Sequence, residues 1–413
     1  MIKNTLSLNI YVLSGVRPIT SYKDAASFIE ARYTQLILKK ININMYILSI
    51  TYSKIVQFIY SIISKKEFID EDNMPFSSEP FHQIRFNSGF IDQILIRLLP
   101  GIHHKFILRK IDSSISPDPN VILHGHWIYP HGYYITCLAK KYNVPCVVTA
   151  HGSDIHTIPR RNRIIKKYTL DTLESADKII FVSKTLLASA KELGYSGENA
   201  VVIPNGIDPT YFYPVEKETA MEKTGWKQSK KYVVGFVGNL IYVKRADKFV
   251  KIFSEIQKII GDVEFVLVGD GDLREEIQNE CSELGVMVTF AGRVPHEAVA
   301  AWMNLFDVMI LPSRNEGWPC VVLEAYACGV PVVGSNNGGI AEALGGLGVV
   351  VEEGNGFVEG FAKGVCDVLM GVHPTDSSEL VKHAAKYTWE SLVSMEIDVY
   401  TSLMDREISG DEN

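Results

Sequence analysis

Short β-branched runs alternate with amphipathic stretches along the chain, and the series occurs twice. In the first half the pattern predicts strands near Leu6–Leu13, Met45–Ile50, Val121–His124, Cys146–Ala150, Ile179–Ser183 and Val201–Pro204. Helices are predicted between them, over Ala25–Lys39, Gly132–Lys141 and Lys184–Leu193. In the second half strands are predicted near Tyr232–Val237, Val263–Val268, Met287–Phe290, Val308–Pro312, Pro331–Gly334 and Val349–Glu352. Near-continuous apolar strands separated by helices call for parallel sheets covered on both faces. Two such series in tandem predict an α/β chain of two doubly wound, Rossmann-like domains. The run Pro204-Asn205-Gly206-Ile207-Asp208-Pro209 is dense in turn formers and a charged stretch follows. The division is therefore expected within Pro204–Glu218, giving domains over 1–212 and 213–413. Thr388–Ser402 is amphipathic, and its Trp389 needs an apolar surface on one domain or the other.

Composition excludes several classes. With 413 residues, 46% hydrophobic and 22% charged, the chain is neither disordered nor a disulfide framework. Cysteines at 137, 146, 281, 320, 328 and 366 form no C-x-x-C pair. They read as reduced thiols of a cytoplasmic chain, with no zinc spacing. The N-terminus MIKNTLSLNIYVLSG alternates apolar and polar residues like a first strand rather than a secretory signal. The longest apolar run, Ile55–Ile63, is far shorter than the ~20 residues that span a bilayer. The net charge of −7 hides an asymmetry: residues 1–212 carry 24 Lys+Arg against 17 Asp+Glu, so the first half is basic and the second strongly acidic. A basic half is expected to face something anionic.

The most informative segment is Pro312–Ala325, PSRNEGWPCVVLEA. A strand ends in a polar loop, and a helix follows near Pro319. In an open parallel sheet ligands gather at the carboxyl ends of strands, where a helix N-terminus offers N–H groups to phosphate. Glu316 in the loop can accept from sugar hydroxyls, and Glu324 on the helix can reach a ribose diol. Taken alone, the two acids read more readily as a capping acid and a helix-surface charge. His124, His126 and His131 cluster, and H-x-H on a strand puts two rings on one face. With no cysteine or carboxylate at ligand spacing, they read as lining a polar cleft without metal. Asp270-Gly271-Asp272 reads as part of a capping box, Asp272-Leu273-Arg274-Glu275, rather than a metal motif. There is no G-x-x-x-x-G-K-[ST], no G-x-G-x-x-G opening the first helix, and no G-x-S-x-G. Triphosphatase, dinucleotide and serine-hydrolase readings are therefore set aside.

The stretch EGWPCVVLEA, followed by ACGVPVVGSNNGGIAE, resembles the donor-site signature of family 4 retaining glycosyltransferases of the GT-B fold. So do Phe236-Val237-Gly238-Asn239-Leu240 with Lys244, Val268-Gly269-Asp270-Gly271, and Phe290-Ala291-Gly292-Arg293-Val294. In the first half Thr149-Ala150-His151-Gly152, Ser175-Ala176-Asp177, Val182-Ser183 and Ile203-Pro204-Asn205-Gly206-Ile207-Asp208 match likewise, and Tyr387-Thr388-Trp389-Glu390 matches the closing helix. The match runs from about residue 120 to 400. It implies two Rossmann-like domains facing a cleft, with the final helix crossing back to the first. It implies that Glu316 binds donor-sugar hydroxyls, and that the backbone of Gly317, Trp318, Pro319, Cys320 and Val321 meets sugar and phosphate. Glu324 would take the ribose, Lys244 the pyrophosphate, Arg293 and Val294 the base, and His151 the reacting sugar. Gly15, His126 and Asp154 are candidates on the acceptor side; Asp154 is equally a helix cap. The donor is expected to be a nucleotide-diphosphate sugar, with no metal or other cofactor and no nucleic-acid partner.

One position departs from the family. Where an arginine commonly stands five residues before the lysine, this chain has Asn239, a neutral amide that cannot offset pyrophosphate charge. Arg245 is the nearest replacement cation, although adjacent residues on a helix point in different directions. No carboxylate nucleophile is evident on the first domain, which favours front-face substitution over double displacement. Two further functions are compatible with the same fold: an epimerase or phosphorylase, and a non-catalytic nucleotide-sugar-binding protein. Finally, Arg160, Arg161, Arg163, Lys166 and Lys167 put five cations into eight residues, and Ile94–Lys110 mixes bulky apolar and basic side chains. These are either solvated charges over ordinary core helices or an anionic-membrane contact. The second would place the enzyme on the inner face of the plasma membrane, adding sugar to a lipid-linked acceptor of a surface polysaccharide.

Overall fold

The computed structural model describes residues 8–15, 27–52, 81–88, 100–115, 117 and 120–410. The Ile55–Ile63 run, the Val16-Arg17-Pro18 part of the first loop and the start of Ile94–Lys110 lie outside the described residues. Packing divides the chain into two compact units. The first comprises Met1–Ile180, Ala190–Val201 and Glu396–Asn413, and the second Phe181–Ser189 and Val202–Met395. The long continuous part of the second unit thus starts at Val202, upstream of the 212/213 division expected from turn formers, and Phe181–Ser189 belongs to it as well. The helix Trp389–Gly410 contributes to both units.

The first sheet has seven strands in the order β3-β2-β1-β4-β5-β6-β7. These are β1 (Asn9–Ser14), β2 (Asn42–Tyr52), β3 (Phe81–Ser88), β4 (Val121–His126), β5 (Cys146–Ala150), β6 (Lys178–Phe181) and β7 (Ala200–Val202). β1 pairs in parallel with β2 and β4, Val12 standing opposite Met45 on one side and His124 on the other. Every residue of β4 and β5 is buried, as their unbroken apolar runs require of strands covered on both faces. The helix Tyr133–Tyr142 covers them with Tyr134, Ile135, Leu138 and Ala139, and ends at Asn143 in the left-handed conformation.

The second sheet has the order β10-β9-β8-β11-β12-β13, every neighbouring pair parallel. Its strands are β8 (Tyr232–Val237), β9 (Val263–Val268), β10 (Val288–Gly292), β11 (Val308–Leu311), β12 (Val332–Ser335) and β13 (Val349–Val351). The helix Phe249–Ile259 packs its apolar face on β8 and β9. Phe253 stacks on Phe265 at 4.1 Å between centroids, and Phe249 meets Phe236 edge-on at 4.7 Å. Each such ring contributes roughly 1.5–3 kcal/mol by leaving water. Both sheets reverse their winding at one place, between β1 and β4 in the first and between β8 and β11 in the second. In doubly wound sheets such points leave a crevice beyond the carboxyl ends of the strands.

The helix after β9 begins at Arg274, and its cap residue Leu273 makes no side-chain cap bond. Just before it, Asp270 accepts from the Gly271 N–H and lies 3.6 Å from Arg274. The sequence pattern missed β3, an eight-residue strand.

Candidate active site

At the reversal point of the second sheet, Lys244 follows β8 and Glu316 follows β11. The loop after β8 tightens into a short 3-10 turn, Tyr242–Lys244, which ends at Arg245 with φ 58°. Lys244 donates from Nζ to Glu316 Oε1 at 2.6 Å, so the two side chains expected to meet different parts of a ligand meet each other. The loop carrying Glu316 is held from behind by a pair of glycines. Gly339 N–H donates to the Glu316 carbonyl at 2.8 Å. A Cβ on Gly338, whose φ is +57°, would stand 2.1 Å from that same oxygen. The motif SNNGG is thus the backing of the EGWPC loop. Ser183, in the same unit, donates to the Gly317 carbonyl at 2.7 Å.

The helix after that loop runs Cys320–Ala327, with Pro319 at its cap. Pro319 has no N–H, so of the five backbone positions expected to donate, Gly317, Trp318, Cys320 and Val321 can do so and Pro319 cannot. The Trp318 ring is buried: its indole N–H donates to the Asn205 carbonyl at 3.0 Å and its face meets Tyr387. Its side chain therefore anchors the loop. Glu324 lies in the second turn of the helix and accepts from His296 Nε2 at 3.3 Å. Burial works against the charged form of His296, but the hydrogen bond and charge of Glu324 outweigh it and raise its pKa. His296 stands four residues after β10 and was not singled out from the sequence. The only signal was its place just beyond Arg293-Val294, which follow β10; Arg293 is exposed and Val294 half-buried.

Asn239 is exposed in the loop after β8. Arg245 turns away: its guanidinium forks onto Glu353 at 2.7 and 3.0 Å and stacks 4.1 Å from the Phe357 ring. Arg314 likewise forks onto Asp247 at 2.6 and 2.8 Å and covers Tyr242. Bidentate pairing fixes the direction of the Arg245 guanidinium, away from that of its neighbour Lys244.

In the first unit, His151 follows β5, and His124 and His126 lie on β4. The three rings stack in series, His124 on His126 at 4.7 Å and His126 on His151 at 5.1 Å between centroids. His126 Nδ1 and His151 Nε2 share a hydrogen bond of 2.8 Å. Burial, followed by the charge of Arg32 and of neighbouring histidines, holds the pKa of all three well below the ordinary value. His126 is completely buried, with His151 stacked against it. Asp154 is also completely buried, and its oxygens accept from the backbone N–H groups of Gly152 at 2.8 Å, Ile128 at 2.9 Å and His151 at 3.1 Å. It fixes the His151 loop instead of offering itself to an acceptor hydroxyl. Gly15, at the reversal point of this sheet, is needed for space: a Cβ there would be 2.3 Å from the His131 ring. Among the described residues no group of three or more His, Cys, Asp or Glu side chains is arranged to hold a metal ion.

Two doubly wound parallel sheets of this strand order are the architecture of the GT-B fold. Family models agree: "Glycosyltransferase Family 4" matches residues 70–211 and "Glycosyl transferases group 1" matches 231–370. N-acetyl-alpha-D-glucosaminyl L-malate synthase of Bacillus anthracis is 30% identical over 68% of this chain and 74% of its own. TuaC of Bacillus subtilis (strain 168), named for teichuronic acid biosynthesis, is 30% identical over 56% of each chain. The crystal structure of Anabaena HepE in complex with UDP covers 96% of this chain and is itself covered fully, with a TM-score of 0.71 at 14% identity. The chain belongs to the family 4 glycosyltransferases, and its activity is of the sugar-transferring class.

Proposed function

We propose that the chain is a retaining glycosyltransferase that moves a sugar from a nucleotide-diphosphate sugar to a hydroxyl of a glycan or lipid-linked acceptor in surface polysaccharide biosynthesis. One observation carries this reading: Lys244 and Glu316 meet at the reversal point of the second sheet, beside a helix N-terminus and Glu324. Glu324 meets the ribose, Arg293-Val294 the base, and Glu316 the hydroxyls of the donor sugar. A pyrophosphate placed there competes with Glu316 for the Lys244 ammonium. On donor binding the ion pair therefore opens, Lys244 turning to phosphate and Glu316 to the sugar. As the C1–O bond to phosphate breaks, positive charge grows on the sugar and negative charge on the leaving oxygen. Lys244 and the N–H groups of the first helical turn stabilise the latter. The departing phosphate oxygen takes the acceptor's proton, and the new bond forms on the face the phosphate leaves, which retains configuration. His151 is assigned to the reacting sugar. The fact that UDP and sugar occupy structures of the same fold supports a nucleotide-sugar donor.

The acceptor is proposed to be presented at a membrane surface. Helices Pro100–Ser114 and Arg163–Ser175 adjoin through His104 and Tyr168, whose rings are 5.0 Å apart. Together they expose Ile102, Phe106 and Ile164 among Lys105, Arg109, Lys166 and Lys167. Apolar and basic side chains mixed on one face suit anionic lipid, at about 1 kcal/mol per cation. No helix among the described residues is long and apolar enough to cross a membrane.

The test is release of nucleoside diphosphate from UDP-, GDP- and ADP-sugars in the presence of lipid-linked acceptor, with the product anomer read by proton NMR. An α-linked product from an α-linked donor supports the reading; an inverted product contradicts it. Flotation with anionic phospholipid vesicles at low salt tests the membrane contact, and complete recovery in the unbound fraction contradicts that part.

A further inference from the structure

We propose that Glu396, on the last helix, dictates the tautomer of His151 through a chain of hydrogen bonds, so that His151 presents an N–H, and not a lone pair, at Nδ1. Glu396 is a positioning residue in this scheme. All its members lie in the first unit. The consequence for a sugar oxygen rests on the role proposed above for His151; the tautomer itself does not.

The proton order follows link by link. Glu396 is buried 3.6 Å from the Arg32 guanidinium, and a carboxylate beside a cation can only accept. The Tyr400 hydroxyl donates to Glu396 Oε1 at 2.5 Å, which uses its only proton. Tyr400 Oη must then accept from His124 Nδ1, 2.7 Å away, so His124 carries its proton on Nδ1. The other nitrogen, Nε2, accepts from the Thr149 hydroxyl at 2.8 Å, which is consistent with that tautomer. Tyr33 Oη faces two ring nitrogens, His124 Nδ1 at 3.4 Å and His126 Nε2 at 2.5 Å. Since His124 Nδ1 already bears hydrogen, the Tyr33 proton goes to His126 Nε2. A neutral His126 therefore carries its own proton on Nδ1 and donates to His151 Nε2 at 2.8 Å. His151, neutral in turn, carries its proton on Nδ1. That nitrogen is buried and finds no partner among the described residues.

The scheme needs one proton per ring. Burial supplies this for all three histidines, and Arg32, which balances Glu396, also repels a second proton from each. A buried donor without an acceptor costs about 1–3 kcal/mol, so the Nδ1–H is an unmet group that an oxygen lone pair relieves. The resting His151 is thereby suited to recognise a sugar oxygen and unsuited to remove a proton. A signal for this relay existed in the sequence only as H-x-H, because Tyr33 and Glu396 are remote in the chain.

The experiment is long-range nitrogen–proton correlation NMR on the full chain with nitrogen-15 histidine and no donor present, His151 being assigned by loss of its signals in His151→Gln. A protonated Nδ1 and bare Nε2 are expected. An Nε2–H form in the native chain overturns the proposal without use of any variant. In Tyr33→Phe the link to His126 is cut, and His151 is expected to become a mixture of both tautomers; an unchanged single Nδ1–H form shows that the relay does not set it. Since no sugar transfer is measured, failure here leaves the glycosyltransferase reading standing, and failure of that reading leaves the tautomer result standing.

Discussion

Gly338→Ala separates the positioning of Glu316 from ordinary backbone strain. The residue has φ +57°, and its Cβ would approach the Glu316 carbonyl oxygen to 2.1 Å. Left-handed backbone costs an L-residue about 1–2 kcal/mol. The clash adds a displacement, because real Cβ contacts stay beyond 3.0 Å; the Glu316 loop must therefore retreat by about 1 Å. A misplacement of ~1 Å near reacting atoms costs on the order of 100-fold in rate. Gly346 is the matched control, with φ +79° and nothing within 4 Å of a built Cβ. Gly346→Ala should lose ~1 kcal/mol of stability and keep native turnover. Gly338→Ala should lose at least as much stability and about 100-fold of turnover. The assay is nucleoside-diphosphate release under saturating donor, with urea unfolding of both variants. If Gly338→Ala turns over within about twofold of Gly346→Ala, the two glycines do not position the Glu316 loop and the reasoning from close approach is wrong.

Three other predictions follow from the site. Lys244→Ala should lose far more turnover than donor affinity, since its charge acts on the leaving group; equal losses in rate and binding, measured by steady-state kinetics and calorimetry, would count against that role. Asp154→Asn replaces an oxygen that accepts backbone N–H bonds by an NH2 that cannot, so it should destabilise the chain by about 1–3 kcal/mol and shift the His151 resonances; native stability in urea would contradict the anchoring role. Stability should fall as pH drops below about 6.5. The reason is that His124, His126 and His151 resist protonation in the folded state, with His104 and His131 pushed down to about 4 by burial, while the unfolded chain takes up protons. The unfolded state then binds more protons, at ~1.4 kcal/mol per histidine for each pH unit. His296 runs the other way: its raised pKa adds stability that is full below the unfolded value and lost as pH rises through the folded one. Urea midpoints at pH 5.5, 6.5 and 8 for the native chain and His296→Gln distinguish the two, and a flat native profile would contradict the first.

Parallel sheets were legible because their strands are buried on both faces and so appear as unbroken apolar runs. Cys146–Ala150, Tyr232–Val237 and Val263–Val268 follow the sequence pattern to the residue. β3 escaped because FHQIRFNS interleaves polar with apolar positions, as suits the outermost strand of its sheet. Glu316 and Glu324 were picked out by their place after a predicted strand, and Lys244 only by the resemblance to the family. What was not legible depends on residues far apart in the chain: the 2.6 Å contact of Lys244 with Glu316, the Gly338 backing, the His296–Glu324 pair, and the path from Glu396 to His151. Asp154 was equally an acceptor contact or a helix cap from sequence, and the convergence of three backbone N–H groups on it shows an anchor.

The central claim is that the second unit binds a nucleotide sugar through Glu324 and the Glu316 loop. Thermal unfolding of the native chain and of Glu324→Ala against UDP-, GDP- and ADP-sugars tests it most directly. A ligand at ~100 times its dissociation constant adds about 2.7 kcal/mol to the folded state. One nucleotide series should raise the unfolding temperature of the native chain and leave Glu324→Ala unmoved. If no series moves the native chain, or if Glu324→Ala responds equally, the donor site is not where this account places it.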